Sequence, residues 1–325
     1  MEEKDFAFSK SKYDITTFSI GIYNNGIKEF CNAYDNELYD LASITKLFTL
    51  KLLYDLQTEK KLNLYDCVKD CLNMPKLKDT TILDLIKMKD IIRTSKKLSD
   101  TQNKIEFLEI LLNAQIIQKD VPEYNDIGFC LLGVLIEKVT NQSLAKNFEH
   151  LFQKLGLKNT YINPDDSYKI YGNGNNNRLP HDKKTKIAGG ITGASGIFSN
   201  VFDMLRIGEL LIEEKFFDKG FLMDIFKYNF IDHKGRNRTY AGLYKYTDDY
   251  KCYIPKKYTK KSLAHQGYTG ATLIVDLENK IVNVLLFDAI LKDTNEKSKN
   301  FFEGYDQLQE IIANRTLHLK EDKNL

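Results

Sequence analysis

Apolar and polar positions alternate near both ends of the chain and fall at helical spacing between them. Ile15 to Tyr23 and Ile27 to Tyr34 are rich in β-branched and aromatic residues, and Asn24-Asn25-Gly26 between them predicts a hairpin turn. Leu47, Phe48, Leu50, Leu52 and Leu53 give the next segment the broad apolar face of a helix. Residues 60–80 read as a loop with short turns around Pro75, and residues 80–92 and 104–117 as helices. Pro122 breaks the pattern. Gly128 to Thr140 resumes it as an amphipathic helix carrying Leu131, Leu132, Leu135, Ile136 and Val139. Asp203 to Glu214 predicts a further helix. Tyr240 to Tyr246, Ala271 to Asp276 and Ile281 to Phe287 carry β patterning, with a tight turn at Leu277-Glu278-Asn279-Lys280 between the last two. Phe301, Phe302, Tyr305, Leu308, Ile311 and Ile312 fall on one face of a terminal helix. Strands at both ends with helices between them predict an α/β (α+β) fold, an antiparallel sheet built from both termini with a helical insertion. The expected division is a sheet region at 1–75 and 180–325 and a mainly helical region at 76–179, together one compact unit.

Composition narrows the class. The 325 residues suit one large domain or two closely packed ones. Lysine and arginine number 47 against 45 acidic residues, so nothing points to nucleic acid or an anionic membrane as a partner. The five cysteines, at 31, 67, 71, 130 and 252, are an odd number, several in apolar surroundings, and read as reduced thiols. Cys67 and Cys71 have no histidine cluster beside them, which argues against zinc. The polar start Met1-Glu2-Glu3-Lys4-Asp5 shows no signal peptide, and no apolar run of about 18 residues exists to span a bilayer, so the expected location is cytoplasmic. Gly172 to Asn177 reads as a polar surface loop. Gly189-Gly190-Ile191-Thr192-Gly193-Ala194-Ser195-Gly196 lacks phosphate-loop spacing and predicts close backbone packing.

Candidate chemistry starts at Ser43-Ile44-Thr45-Lys46. Positions i and i+3 share a helix face, which sets a hydroxyl beside an amine that can help take its proton. About one to three Ser-x-x-Lys matches are expected by chance in such a chain, and Ser9/Lys12 and Ser143/Lys146 also match, each with the bland alternative of a helix cap and a solvated lysine. Pro122-Glu123-Tyr124-Asn125-Asp126 leads into the amphipathic helix. Tyr124 can act as a general base beside a lysine, although a capping residue and a packed tyrosine would look the same. Ala264-His265-Gln266-Gly267-Tyr268-Thr269-Gly270 enters a strand; Gly267 allows close approach, and the N–H after it, with that of Ser43, can face a developing oxyanion.

Taken in order, Ser43/Lys46, Tyr124/Asp126 and His265/Gly267 resemble the serine β-lactamase and penicillin-binding-protein superfamily, nearest its class C β-lactamase-like and esterase branch, over roughly residues 15–290. Tyr124 to Thr140, Gly189 to Asp203 and His265 to Thr272 match that branch in texture. The resemblance implies a β-lactamase/transpeptidase-like fold and a serine hydrolase with no cofactor and no metal. Ser43 would attack an ester, amide or peptide carbonyl of a small molecule, and Lys46 and Tyr124 would share the proton. Asp126 would orient Lys46 or bond to the substrate. The N–H groups of Ser43 and Tyr268 would form the oxyanion hole. His265 would border it and tune Tyr124 electrostatically. An esterase, a D-peptidase-like enzyme and a weak β-lactamase all fit.

Departures stand beside the likeness. Met88-Lys89-Asp90-Ile91-Ile92-Arg93 replaces the branch's His-Thr-Ser-Gly-like turn, which predicts a remodelled cleft wall. Asp126 stands for an asparagine, and His265 for a lysine that would receive a substrate carboxylate. The N-terminal helix is short or missing. These changes leave a non-catalytic peptide- or penicillin-binding protein as the alternative. Oligomeric state is not legible.

Overall fold

Asn25 and Gly26 take φ of 48° and 94°, the pair of left-handed residues that a two-residue hairpin needs. A computed structural model describes residues 17–174, 178–248, 254–288 and 295–319, the side chains of 295–306 excepted. Its strands are β1 (Phe18–Asn24), β2 (Ile27–Cys31), β3 (Glu37–Asp40), β4 (Ile91–Arg93), β5 (Gln115–Gln118), β6 (Thr160–Tyr161), β7 (Lys169–Tyr171), β8 (Phe198–Ser199), β9 (Phe230–Ile231), β10 (Asn237–Arg238), β11 (Tyr244–Lys245), β12 (Ser262–Gln266), β13 (Thr272–Asp276) and β14 (Ile281–Phe287). Its α-helices are α1 (Thr45–Thr58), α2 (Val68–Leu72), α3 (Ile82–Ile86), α4 (Lys104–Leu112), α5 (Ile127–Thr140), α6 (Leu144–Leu155), α7 (Lys183–Ile187), α8 (Val201–Ile212), α9 (Lys219–Lys227) and α10 (Asn295–His318). None of the described helices is long and apolar enough to cross a membrane.

The main sheet runs β2-β1-β14-β13-β12-β11-β10-β9, and β1 pairs antiparallel with β14 from Phe18↔Phe287 to Asn24↔Ile281. Both ends of the chain therefore build it, as expected. Strand residues alternate between two apolar faces. Ile20, Ile22, Leu285 and Phe287 meet Leu308 and Ile312 of α10. Val282, Val284 and Leu286 belong to the main core with Leu205 and Ile207 of α8. Ile311, expected on the same face as Ile312, is instead exposed. The side chains of Phe301, Phe302 and Tyr305 lie outside the described residues.

Between the strand-rich ends the expectations needed correction. The helix expected over 80–92 is only α3, opened by a capping box between Thr81 and Asp84. Met88 then turns left-handed at φ 52°, and the β-branched pair Ile91-Ile92 becomes β4. The helix expected over 104–117 stops at Leu112, because Ile116 pairs with Ile92 in a two-stranded sheet. Residues 60–80 contain α2, and α6 and α9 carry no counterpart in the sequence reading. Tyr240 to Tyr246 is a 3-10 turn followed by β11, since Ala241 and Gly242 both have positive φ.

Helix α1 runs through the middle of the molecule. Ten of its residues are buried, Lys46 and Lys51 among them, so it has no solvent face over its first turns. A lysine held there needs an acid: Lys51 has Asp55 at 2.6 Å, and Lys46 has Asp126. The glycine-rich stretch packs on α5 as expected. A Cβ at Gly193 would lie 2.1 Å from Phe129 O, so the two backbones approach as closely as glycine permits. Cys67, Cys71 and Cys130 are free thiols. Cys252, Ser9/Lys12 and Asn175 to Asn177 lie outside the described residues.

Candidate active site

Ser43 sits in a single 3-10 turn, Ala42–Ile44, that leads directly into α1. The chain enters it with Ala42 at φ 47°, held by a bond from the Ala42 N–H to Asp40 Oδ1 at 2.8 Å. Lys46, one turn on, donates to Ser43 Oγ at 2.8 Å. Ser143 does something different: its hydroxyl caps α6 by accepting from the Lys146 N–H, and the Lys146 side chain is exposed.

Lys46 Nζ is fully enclosed, with oxygen atoms of three residues close to it besides the Tyr124 hydroxyl. They are Ser43 Oγ, Asp126 Oδ1 at 2.7 Å and Ala194 O at 3.4 Å. Burial by itself pushes the Lys46 pKa down; the Asp126 charge outweighs it and leaves the ammonium above the ordinary lysine value. Asp126 can serve here because Asn125 has taken the capping role, its Oδ1 accepting from Gly128 N. Burial also opposes the Asp126 charge, but Lys184 and Lys46 together hold its carboxyl well below the usual range.

Tyr124 lies against the same ammonium, with Lys46 Nζ 5.1 Å from its ring centroid. The Arg238 guanidinium covers the ring at 4.2 Å and Tyr244 at the same distance. Arg238 is itself fixed by Asp232 at 2.6 Å and Gly242 O at 2.6 Å. Gly242 completes the seat: a Cβ there would fall 2.3 Å from Tyr124 Cε2. Gly242→Ala therefore displaces the phenol, and a displacement near 1 Å costs about 100-fold in rate. Ser43 labelling kinetics on a folded variant, with its Tm recorded, check this.

The segment Met88 to Arg93, expected to remodel the cleft wall, runs into β4. Arg93 grips Glu123 with Nη2–Oε1 at 2.8 Å, and Glu123 N donates to Met88 O, so the substituted segment holds the loop that carries Tyr124.

At the end of β12, a Cβ on Gly267 would lie 2.5 Å from Leu41 O and 3.1 Å from Ala42 Cβ. This glycine is what lets residues 267 and 268 run alongside the turn that carries Ser43. Tyr268 is half exposed, and its ring stacks on His181. The His181 backbone N–H donates to Asp40 Oδ2 at 2.7 Å, and its Nδ1 lies 2.8 Å from the same oxygen.

The expectation for His265 is corrected. Its side chain is buried, and burial, helped by Lys46 and Arg238, pushes its pKa down to about 3. A neutral imidazole has no charge with which to tune Tyr124. Its Nε2 lies 3.1 Å from Ala241 O, so it instead supports the turn on which Tyr124 rests.

Sequence reading missed Lys184, Asp182, Arg238, Gly242, Asp40 and His181. Lys184 sits 2.8 Å from Asp126 Oδ2 and 2.6 Å from Asp182. Its one visible signal was the acid at 126, which a buried lysine already paired with Ser43 left able to bind a second cation.

The sequence model described as Beta-lactamase matches residues 11–299, and the chain belongs to that family. An N-acetylmuramyl-L-alanine amidase of Bacillus subtilis is 30% identical over 226 residues, 54% of this chain and 50% of its own length. A β-lactamase of Providencia stuartii is 29% identical over 187 residues, 54% of this chain and 47% of its own. The chain thus spans about half the length of the curated relatives it matches. Among solved structures, the D-amino acid amidase of Ochrobactrum anthropi aligns over 96% of this chain and 99% of its own, with TM-score 0.71 and 15% identity. A class C β-lactamase from Rhodobacter sphaeroides aligns over 95% and 99%, with TM-score 0.68 and 17% identity. These two share the β-lactamase/transpeptidase-like fold.

Proposed function

We propose that the chain is a serine hydrolase that works through an acyl-enzyme on Ser43. The observation that carries this is the 2.8 Å contact between Lys46 Nζ and Ser43 Oγ, with Asp126 and Tyr124 against the same ammonium. The Asp126 charge keeps Lys46 an ammonium, so it orients the Ser43 oxygen rather than taking its proton. The proton acceptor is then the Tyr124 oxygen, with the cations of Lys46 and Arg238 lying against its ring. Ser43 Oγ bonds to the carbonyl carbon while its proton passes to Tyr124. Tyr124 returns that proton to the leaving nitrogen or oxygen, and water repeats the sequence to free the acid. The N–H groups of Ser43 and Tyr268 face the tetrahedral oxygen, each such donor worth about 3 kcal/mol of barrier.

The substrate class follows from charge. His265 is neutral and buried, while Lys46, Lys184 and Arg238 each already hold a carboxylate. The reading favoured is an ester or amide that brings no carboxylate to be bound, such as an amino-acid amide, which accords with the amidases among the similar proteins. Penicillins, which carry a carboxylate, are expected to be poor acyl donors. Incubation with a fluorophosphonate, short-chain nitrophenyl esters, D-amino-acid anilides and nitrocefin, followed by intact-mass spectra, tests the scheme. A single adduct on Ser43 with turnover of esters or anilides is expected. Ligand binding with no adduct from any donor would establish a non-catalytic binding protein instead.

A further inference from the structure

We propose that Lys184 is a positioning residue for Ser43, dividing the Asp126 carboxylate between two cations so that Lys46 stays aimed at the nucleophile. The proposal rests on the acyl-enzyme reading above for what the aim is used for. The contacts form a closed ring. Lys46 meets Asp126 Oδ1 at 2.7 Å, and Asp126 Oδ2 meets Lys184 at 2.8 Å. Lys184 meets Asp182 Oδ2 at 2.6 Å, and that oxygen accepts from Ser195 Oγ at 2.8 Å. Ser195 follows Ala194, whose carbonyl faces Lys46 at 3.4 Å. The ring joins the nucleophile turn, the tyrosine loop, the start of α7 and the glycine-rich stretch, four separate segments of the chain.

Its charges alternate and cancel: two ammonium groups and two carboxylates. That is the condition under which one enclosed and three partly enclosed charges are tolerated together. Each carboxylate oxygen of Asp126 has its own cation. With Lys184 removed, both oxygens become free to turn to Lys46, which then follows the carboxylate away from Ser43. Asp182 would keep the hydroxyls of Thr185 and Ser195, each at 2.8 Å, and the backbone N–H of residue 184 at 3.3 Å, with no cation among them. The other titratable or charged groups around the ring are Tyr124 from the loop, the neutral Cys130 thiol of α5, pushed up to about 12 by burial, and His265 and Arg238 from the sheet side. None of these replaces Lys184.

The test compares wild type with Lys184→Met, Lys184→Gln and Lys184→Arg from pH 4 to 9, by the rate of fluorophosphonate attachment to Ser43 and by Tm. In the wild type, two cations keep Asp126 ionised throughout. Losing one raises the Asp126 and Asp182 pKa values toward or above the ordinary range, because burial remains. The Met and Gln variants should show an acid limb between about pH 4 and 6, with labelling at pH 5 about 10-fold below that at pH 8, and Arg should restore the wild-type profile. The Tm deficit should be largest above about pH 6, where the carboxylates stay ionised, and should narrow on acidification as they protonate. Labelling slowed by one constant factor at every pH, with a pH-independent Tm deficit, would overturn the proposal and leave Lys184 a packing residue. A wild type that takes no label sinks the acyl-enzyme reading instead, and the pH course of the Tm deficit then decides the ring by itself.

Discussion

Ser43→Ala abolishes covalent labelling and lowers turnover by about 10⁴- to 10⁶-fold, the scale seen when the nucleophile of a serine hydrolase is removed. The loss is expected in kcat more than in KM, because the alcohol forms its new bond only on the way to the transition state. The fold should be indifferent, since Ser43 is partly exposed in its turn while its neighbours Ala42 and Ile44 are buried. Deleting the hydroxyl removes an acceptor from Lys46, yet Asp126 and Ala194 O remain to hold the ammonium. An unchanged Tm together with lost labelling is therefore the expected pair of results. Ser43→Ala retaining hydrolysis at a tenth of the wild-type rate or more would place the chemistry elsewhere.

Asp126→Asn has the second largest expected effect, and it acts on stability as well as rate. Removing one partner from a buried ion pair costs about 3–5 kcal/mol. The lower end applies here, because Asp126 keeps partial access to solvent. The pH dependence has a definite sign. The Asp126 pKa is lowered on folding from the ordinary 3.8, so its contribution is present above about pH 4 and is lost as pH falls toward the folded value. The Tm gap between wild type and variant should thus be full at pH 6–8 and shrink below about pH 4. Lys46 shifts the other way. Without the carboxylate, burial dominates and draws its pKa below 10.5, where Asp126 now holds it above. A neutral Lys46 could then accept the Ser43 proton itself, and labelling should gain an ionisation on the alkaline side that the wild type lacks. Denaturant melts at several pH values, with a labelling profile, check both; a gap that does not vary with pH would contradict the charge assignment.

Much of this was legible beforehand, and the reasons differ by element. The N-terminal hairpin and β13–β14 were readable because alternation and turn chemistry are local. Helix α5 was readable because its apolar stripe repeats at helical spacing. Helix α3 was overextended because Ile91 and Ile92 suit either state, and only pairing with Ile116 makes them a strand. The loop at 240–242 looked like a strand because nothing local announces that Ala241 and Gly242 turn left-handed to receive a tyrosine from position 124.

The sequence by itself determined the order of the motifs, the spacing that places Lys46 one turn after Ser43, and the glycines that permit close approach. Tertiary structure alone decided the charge states. Whether Lys46 is an ammonium depends on an acid 80 positions away, and whether that acid stays ionised depends on Lys184, 58 positions further still. His265 carries no charge because the fold buries it and the Lys46 and Arg238 charges oppose a further cation. Ionisation responds to burial and to neighbours in space, and a linear pattern encodes neither until the chain has folded.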